Sequence, residues 1–307
     1  MKLATIRYEG NTCAGVVKDG NFYSFQGIDE NLPNDMIGFI EGYDSYKKTV
    51  EEKLGAAAPT CSVAEAAFLS PIPRPRTFRD FMSFEEHVIN SGKAMGYNQE
   101  TMDRLLAIWR KLPAFYFSNT NVFFGADEPI KMHPTSQRFD IEFEVAVIIG
   151  KEGSNISEED AGEYIFGLSI LNDWSARDIQ AEEMAMQLGP AKGKDYANSM
   201  GPVIVTMDEL QQYALPEEPK KFDMATKLYR NGELIRENNT RSIYHTYAEL
   251  IAYSSRETKV YPGDVLGSGT IGGGAMLEYL GQQPFIQKGD RIEMEIEGIG
   301  SLKMQVE

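Results

Sequence analysis

The segment FDIEFEVAVIIG, residues 139–150, alternates acidic and apolar side chains before it becomes wholly apolar, and this pattern predicts a β-strand. One face of the strand would carry five apolar side chains, those of Ile141, Phe143, Val145, Val147 and Ile149. The other face begins with Glu142 and Glu144 and continues with Ala146 and Ile148. Because apolar residues continue the acidic face, we predict that both carboxylates are partly buried.

Two carboxylates on one strand face lie about 6.7 Å apart, the rise of two residues, and they repel each other when buried. We therefore expect a cation between Glu142 and Glu144. An edge strand with a solvated acidic face is the alternative. Carboxylate oxygens favour Mg²⁺ or Ca²⁺ over Zn²⁺, and the sequence nearby offers no cysteine and only His133 as a softer ligand.

The pattern along the rest of the chain predicts more strands than helices, hence an α+β, mainly β fold. Hairpins are predicted at the turns Lys18-Asp19-Gly20 and Asn231-Gly232. The predicted strands beyond residue 160 are 166–171, 203–206, 226–230, 234–237, 264–267, 276–280 and 291–296. The predicted helices are 43–54, 81–95, 99–111, 175–186 and 246–253, and Asn98 is the expected N-cap of the third.

A proline-rich segment, LSPIPRPR at residues 69–76, predicts a semi-rigid linker. We place a domain boundary there, between a small β-rich N-terminal domain (1–70) and a larger catalytic domain (71–307).

The net charge of -16 argues against nucleic acid or an anionic membrane as a partner, because binding to phosphate depends on Lys and Arg. The chain has no apolar run of membrane-span length, and its first residues lack the apolar core of a signal peptide. We therefore expect a cytoplasmic protein. Cys13 and Cys61 are too few for a disulfide framework or a zinc site.

Two further segments carry side chains able to do chemistry. Asp80 and His87 lie seven residues apart in DFMSFEEHV, which on a helix would place both on one face, about 10 Å apart. Asp173 closes the strand pattern IFGLSILND, a position from which a carboxylate binds a metal or caps the next helix. The alternative for His87 alone is a structural histidine.

Basic and amide side chains follow Asp173 along the chain. Arg177 and Gln180 are spaced i and i+3 on the predicted helix and would be neighbours on one face. Lys194 lies in the glycine-rich stretch LGPAKGKDY, where the backbone could approach a ligand. A solvated helix surface and a surface loop are the alternatives for these residues.

Taken together, these motifs resemble the fumarylacetoacetate hydrolase family over residues 71–307. The resemblance rests on DFMSFEEH, DIEFEVAVIIG, LNDWSARDIQ, LGPAKGKDY, YPGDVLGSGTIGG, AMLEYL and KGDRIEMEIEGIGSL, in that order. It implies metal ligands at Asp80, Glu142, Glu144 and Asp173. It also implies a catalytic His87 oriented by Glu278, and oxyanion or leaving-group contacts from Arg177, Gln180 and Lys194. Tyr116 and Thr270 correspond to substrate-contacting residues of this family.

The same resemblance implies a mixed β-roll catalytic domain, a homodimer and a bound Mg²⁺, with Ca²⁺ or Mn²⁺ as alternatives. The implied activity is metal-dependent hydrolysis of a carbon–carbon bond in a β-dicarbonyl acid, with His87 taking a proton from water. A metal-dependent 2-oxo acid lyase (hydratase, dehydratase or decarboxylase) is the nearest alternative, and a non-catalytic metal-binding protein is the other. The predicted helix 99–111 is a candidate lid.

Overall fold

The computed structural model describes residues 1–218 and 220–307. Its strands are β1 Lys2–Tyr8, β2 Asn11–Lys18, β3 Asn21–Ser24, β4 Cys61–Ser62, β5 Ala67–Phe68, β6 Phe78–Phe81, β7 Phe115–Phe117, β8 Phe123–Phe124, β9 Phe139–Asp140, β10 Phe143–Ile149, β11 Gly153–Ser154, β12 Ile165–Asp173, β13 Ser175–Ala176, β14 Asn198–Thr206, β15 Ala225–Arg230, β16 Glu233–Asn239, β17 Lys259–Val260, β18 Val265–Gly267, β19 Arg291–Ile296 and β20 Gly300–Gln305. Its α-helices are α1 Phe25–Ile28, α2 Met36–Glu41, α3 Tyr43–Lys53, α4 Glu85–Ala94, α5 Gln99–Trp109, α6 Arg177–Ala185, α7 Met207–Leu210 and α8 Tyr247–Ser255.

A mixed sheet of 12 strands dominates the fold, with the order β4-β3-β2-β1-β14-β12-β10-β18-β6-β7 and with β5 and β8 paired to β1 and β14. The pairs β18–β6 and β14–β8 are parallel, and the others in this sheet are antiparallel. A second sheet has the order β16-β15-β19-β20. Strand content exceeds helix content, 32% against 27%, which confirms the predicted α+β, mainly β class.

Strand β10 lies near the middle of the large sheet, between β12 and β18. Every residue from Phe143 to Ile149 is buried, because both faces of the sheet are covered. Val145 and Val147 pack into the larger core cluster on one face, whereas Ala146 and Ile148 pack into a second cluster on the other. Glu144 therefore lies within a strand that has no solvent-exposed face.

The N-terminal strands extend the same sheet. Lys2 and Leu3 of β1 pair with Val205 and Ile204 of β14, so the sheet is continuous between the first strands and the strands of the predicted catalytic domain. The domain boundary proposed near residue 70 stays a prediction, and the sheet continues across it.

Helices α4 and α5 form a hairpin with a small apolar core of its own. That core contains Val88, Met102, Leu106 and Trp109, separate from the two large clusters. The side chain of Asn98 accepts a hydrogen bond from the backbone N–H of Thr101, which confirms the predicted N-cap of α5. The hairpin thus packs as a distinct unit.

Two segments differ from their predictions. Residues 276–280 were expected to form a strand, but Met276–Tyr279 is a 3₁₀ turn. The backbone N–H groups of Met276 and Leu277 bond to the carboxylate of Asp140 and not to a neighbouring strand. Asp80 was expected on the helix that carries His87. It lies instead on β6, and α4 begins only at Glu85, since the apolar residues around Asp80 pair with β18 and β7.

None of the helices among the described residues is both long and apolar enough to cross a membrane.

We predict that Ile148→Ala lowers the free energy of unfolding by about 2–5 kcal/mol, because it opens a cavity in a fully buried strand. Ile108→Ala is the matched control, since that side chain is 57% exposed and its loss should change the stability by less than about 0.5 kcal/mol. Urea denaturation of both variants measures the difference. Equal destabilisation by the two substitutions would contradict this account of the core.

Candidate active site

Three nearby strands of the large sheet, β6, β10 and β12, each carry one buried carboxylate. Asp80 lies on β6, Glu144 on β10, and Asp173 at the end of β12. Strand β18 runs between β6 and β10, and there Gly267 is opposite both Asp80 and Ala146. A Cβ atom on Gly267 would lie 2.3 Å from Asp80 Oδ1 and 2.8 Å from Glu144 Oε2. The glycine therefore leaves the space that these two carboxylates occupy.

Three of the four predicted metal ligands converge. Oxygen atoms of Asp80, Glu142 and Glu144 lie within 4.8 Å of one another, and all three residues are buried. The fourth, Asp173, is outside this group, and its Oδ2 accepts hydrogen bonds from Lys194 Nζ (2.8 Å) and from the hydroxyl of Tyr116. We call these four carboxylates the carboxylate cluster.

Several oxygens of the carboxylate cluster point at no donor. Asp80 Oδ1, Glu144 Oε1 and Asp173 Oδ1 are buried and have no hydrogen-bond partner among residues 1–218 and 220–307. A buried carboxylate oxygen without a partner is costly unless a cation or a proton lies against it. Oxygen donors of this kind suit a hard divalent cation, so the residues present fit a Mg²⁺-type site.

Two buried cations face Glu142. Lys194 Nζ is 2.5 Å from Glu142 Oε2, and Arg177 Nη1 is 2.7 Å from Oε1. Burial alone would raise the pKa of Glu142, but the charges of Lys194 and Arg177 outweigh it and hold that pKa well below its usual range. Glu142 is therefore ionised in the folded protein.

Asp80 and Glu144 form no ion pair among the described residues, whereas Asp173 shares Lys194 with Glu142. Burial, followed by the charge of Asp173, raises the pKa of Asp80 well above its ordinary value. Burial and the neighbouring Asp80 and Glu142 likewise raise the pKa of Glu144. Without a cation the cluster therefore retains protons, which an arriving ion would displace.

A histidine–carboxylate pair lies beside the cluster. His87 Nδ1 is 2.9 Å from Glu278 Oε1, and His87 Nε2 faces Glu142 Oε1 at 4.0 Å. Burial opposes ionisation of Glu278, but the adjacent His87 and the backbone N–H of Gly273 outweigh it and lower its pKa. An ionised Glu278 accepts the Nδ1 proton, which leaves the Nε2 lone pair directed toward the cluster.

Two of the remaining predicted site residues, Gln180 and Tyr116, contact this centre. Gln180 Oε1 accepts a hydrogen bond from Arg177 Nη1 (3.1 Å). The hydroxyl of Tyr116 is 2.8 Å from Asp80 Oδ2 and also contacts Asp173. Thr270 is buried, and its hydroxyl has no partner in the part of the chain that the structure describes.

Two residues at the site were absent from the sequence interpretation. Asn90 Nδ2 donates to Glu278 Oε2 (3.2 Å), and Ser91 Oγ is 3.4 Å from His87 Nε2. Both lie on α4, three and four residues after His87, and that spacing places them on the same helix face. The i+3 and i+4 positions of a candidate histidine are thus the signal that would have identified them.

We predict that Gly267→Ala weakens Mg²⁺ binding by at least about tenfold, because its methyl group enters the space of Asp80 and Glu144. Gly162→Ala is the control, since no atom lies within 4 Å of a Cβ built there. Calorimetric titration with Mg²⁺ measures affinity, and circular dichroism verifies the fold. A folded Gly267→Ala variant with unchanged Mg²⁺ affinity would show that the ion binds elsewhere.

We also predict that Mg²⁺ binding releases protons, because the raised pKa values of Asp80 and Glu144 keep protons on the metal-free cluster. Affinity should therefore increase with pH, by about tenfold per unit for each proton displaced. The measurement is titration in two buffers of different ionisation enthalpy. Equal heats in both buffers together with a pH-independent affinity would refute the prediction.

Comparison with known proteins shows similarity over nearly the whole chain. The human protein named oxaloacetate tautomerase FAHD2A, mitochondrial, is 28% identical over 282 residues, which cover 92% of this chain and 82% of that protein. The fumarylacetoacetate hydrolase EaFAH from the psychrophile Exiguobacterium antarcticum is 26% identical, with a TM-score of 0.75 over 100% of this chain and 99% of that one. A maleylpyruvate hydrolase from Sphingobium sp. SYK-6, in complex with manganese(II) and pyruvate, shares the fold at 23% identity, a TM-score of 0.73, and coverage of 100% and 98%.

The family assignment rests on a match to a family model. A family model described as fumarylacetoacetate (FAA) hydrolase C-terminal matches residues 76–307, which include the carboxylate cluster, His87 and Glu278. The chain belongs to the fumarylacetoacetate hydrolase family.

Proposed function

We propose that this protein hydrolyses a carbon–carbon bond in a β-dicarbonyl acid, of the fumarylacetoacetate or acylpyruvate type, with a divalent cation at the carboxylate cluster. The observation that carries the proposal is the buried His87–Glu278 pair, 2.9 Å apart, with His87 Nε2 directed at that cluster. A base in this position can take a proton from a water molecule next to a bound substrate.

The ion would be held by Asp80, Glu142 and Glu144, with Asp173 as the fourth ligand implied by the family. When bound, a cation of this kind polarises the oxygens of a 2-oxo acid and stabilises its enolate. Mg²⁺ is our first candidate and Ca²⁺ or Mn²⁺ the alternatives, since each accepts carboxylate ligands.

His87 performs the proton transfers of the proposed reaction. Nε2 takes a proton from water as the water oxygen bonds to the distal carbonyl carbon of the substrate. The carbon–carbon bond then breaks, its electron pair forms an enolate, and the enolate is protonated as the carboxylate product separates. Glu278 keeps Nδ1 protonated and stabilises the positive charge that His87 gains, as a carboxylate does in other histidine-based sites.

Charge on the substrate oxygen would be met by Lys194 and Arg177, with Gln180 fixing the guanidinium. Arg177 Nη2 is buried and has no acceptor among the described residues, so it is available to an oxyanion. Fixed donors of this kind commonly contribute the largest stabilisation in acyl-transfer chemistry. We assign substrate contacts to Tyr116 and Thr270 by the same resemblance.

Keto–enol tautomerisation is the second candidate. It is favoured by the name of the human relative, an oxaloacetate tautomerase that matches 92% of this chain. It requires a base that moves a proton between carbon and oxygen, a task His87 could also perform, but it requires neither attack by water nor cleavage. A homodimer and a cytoplasmic location remain proposals based on the family resemblance and the sequence.

We predict that His87→Ala lowers kcat by about 10²- to 10⁴-fold, the usual contribution of a positioned general base, while Mg²⁺ affinity changes little. The assay follows loss of enol absorbance with fumarylacetoacetate, a set of acylpyruvates and enol-oxaloacetate. His133→Ala is the matched control, because His133 accepts backbone N–H groups of Thr135 and Ser136 outside the cluster.

Labelled water separates the two reactions. In H₂¹⁸O, hydrolysis places ¹⁸O in the released carboxylate, whereas interconversion of enol and keto forms leaves the carbon skeleton intact. An intact skeleton on every substrate would replace hydrolysis with tautomerisation. Full activity of the His87→Ala variant would refute both assignments of the base.

A further inference from the structure

Asp140 is a buried carboxylate whose four contacts are all donors. It ends β9 and has no exposed surface. Its Oδ1 accepts the backbone N–H groups of Ile141 and Met276, each at 2.8 Å. Its Oδ2 accepts Arg177 Nε at 2.9 Å and the backbone N–H of Leu277 at 3.0 Å. These contacts connect Asp140 to two parts of the site.

The first connection leads to the carboxylate cluster. The guanidinium of Arg177 lies between Asp140 and Glu142, with Nε on the former and Nη1 on the latter at 2.7 Å. A planar guanidinium held at two nitrogens has a fixed orientation. Asp140 therefore determines where Arg177 meets Glu142.

The second connection leads to the base. Met276 and Leu277 open the 3₁₀ turn Met276–Tyr279, and the first N–H groups of such a turn have no acceptor inside it. Asp140 accepts both. Glu278 is the next residue of the turn, and its Oε1 bonds to His87 Nδ1 at 2.9 Å.

We propose that Asp140 is a positioning residue that fixes Glu278 against His87 and Arg177 against Glu142, so that the base and the cation site keep one relative arrangement. The role in catalysis rests on the proposed function, but the structural connection does not. Asp140 contacts no reacting atom and acts through Glu278 and Arg177.

The donor pattern makes the carboxylate necessary. An asparagine at residue 140 would direct its amide N–H₂ at one of the two donor pairs, either Ile141 and Met276 or Arg177 and Leu277. The bond from the charged guanidinium is the strongest of the four, so the amide oxygen should stay on Arg177 and Leu277. The amide N–H₂ would then face Ile141 and Met276 and break the contact that holds the start of the turn that carries Glu278. Asp140→Asn is consequently a sharp test, because it keeps the size of the side chain.

The first experiment measures the tautomeric state of the His87 ring by NMR. The chain has three histidines, so ¹⁵N-histidine spectra of the Mg²⁺-saturated protein are simple, and His87→Gln assigns the signals. We expect wild-type His87 to be protonated at Nδ1 alone, and Asp140→Asn to shift its ring nitrogens toward a mixture of tautomers. If Asp140→Asn does not fold, Asp140→Glu, which displaces the carboxylate by one methylene group, should shift the same signals.

Asp290→Asn is the matched control. Asp290 is also a buried aspartate that accepts an arginine and a backbone N–H, from Arg230 (2.5 Å) and Gln287 (2.8 Å). Arg230 lies in the four-stranded sheet, so loss of the Asp290 carboxylate should destabilise the protein. Arg230 also contacts Met276 Sδ at 3.9 Å, so we expect a smaller shift of the His87 signals than in Asp140→Asn. Unchanged His87 signals in a folded Asp140 variant, or equal shifts in Asp290→Asn, would overturn the proposal.

The second experiment is a double-mutant cycle at saturating Mg²⁺. Asp140→Asn alone should lower kcat by about 10- to 100-fold, as substitutions behind a catalytic group do. In the Glu278→Gln background it should cost less than about threefold, because its partner is already lost. Fully additive losses would overturn the proposal. The spectra require no turnover, so they decide the role of Asp140 even if hydrolysis proves to be the wrong reaction.

Discussion

Repulsion among buried carboxylates is the constraint on which the site depends. Asp80, Glu144 and Asp173 are at most 1% exposed, and each buried charge costs several kcal/mol unless it is compensated. In the part of the chain that the structure describes, Lys194 and Arg177 are the cations bonded to the cluster; both bond to Glu142, and Lys194 also bonds to Asp173. Asp80 and Glu144 therefore need protons or a divalent cation. In the proposed enzyme, a bound cation would supply this compensation.

The large sheet holds the mutually repelling carboxylates in place. Carboxylates on β6, β10 and β12 cannot move apart, because the strands that carry them are hydrogen-bonded through the middle of a sheet with both faces covered. The base comes from elsewhere. His87 lies on α4, in a hairpin with a separate apolar core, and hydrogen bonds such as that to Glu278 connect it to the body. In the proposed mechanism, the rigidly held carboxylates would bind the ion and the separately packed His87 would transfer the proton.

Much of this could be predicted from the sequence, and the failures have physical causes. The apolar residues after Glu144 correctly indicated that the acidic strand is buried, because they continue both of its faces. Asp80 was wrongly expected on a helix. The strand that carries it pairs with β18, which is distant in the sequence, and the local pattern does not reveal that pairing. The turn at 276–279 was misread as a strand because the acceptor of its N–H groups, Asp140, is remote in sequence. Asp140 itself could have been identified from the sequence, because it precedes Glu142 by the same two residues that separate Glu142 from Glu144.

The proposed base also explains why family membership does not separate hydrolysis from tautomerisation. Ser91 Oγ, 3.4 Å from His87 Nε2, can donate to the neutral imidazole and, after rotation of the hydroxyl, accept from the protonated one. The pair of His87 and Glu278 can thus take up a proton and return it, and both reactions need this cycle. Cleavage additionally needs a donor for the oxyanion that forms when water attacks. Arg177 Nη2, buried and without an acceptor among the described residues, is the donor that we propose for this oxyanion, and it supports our choice of hydrolysis over tautomerisation.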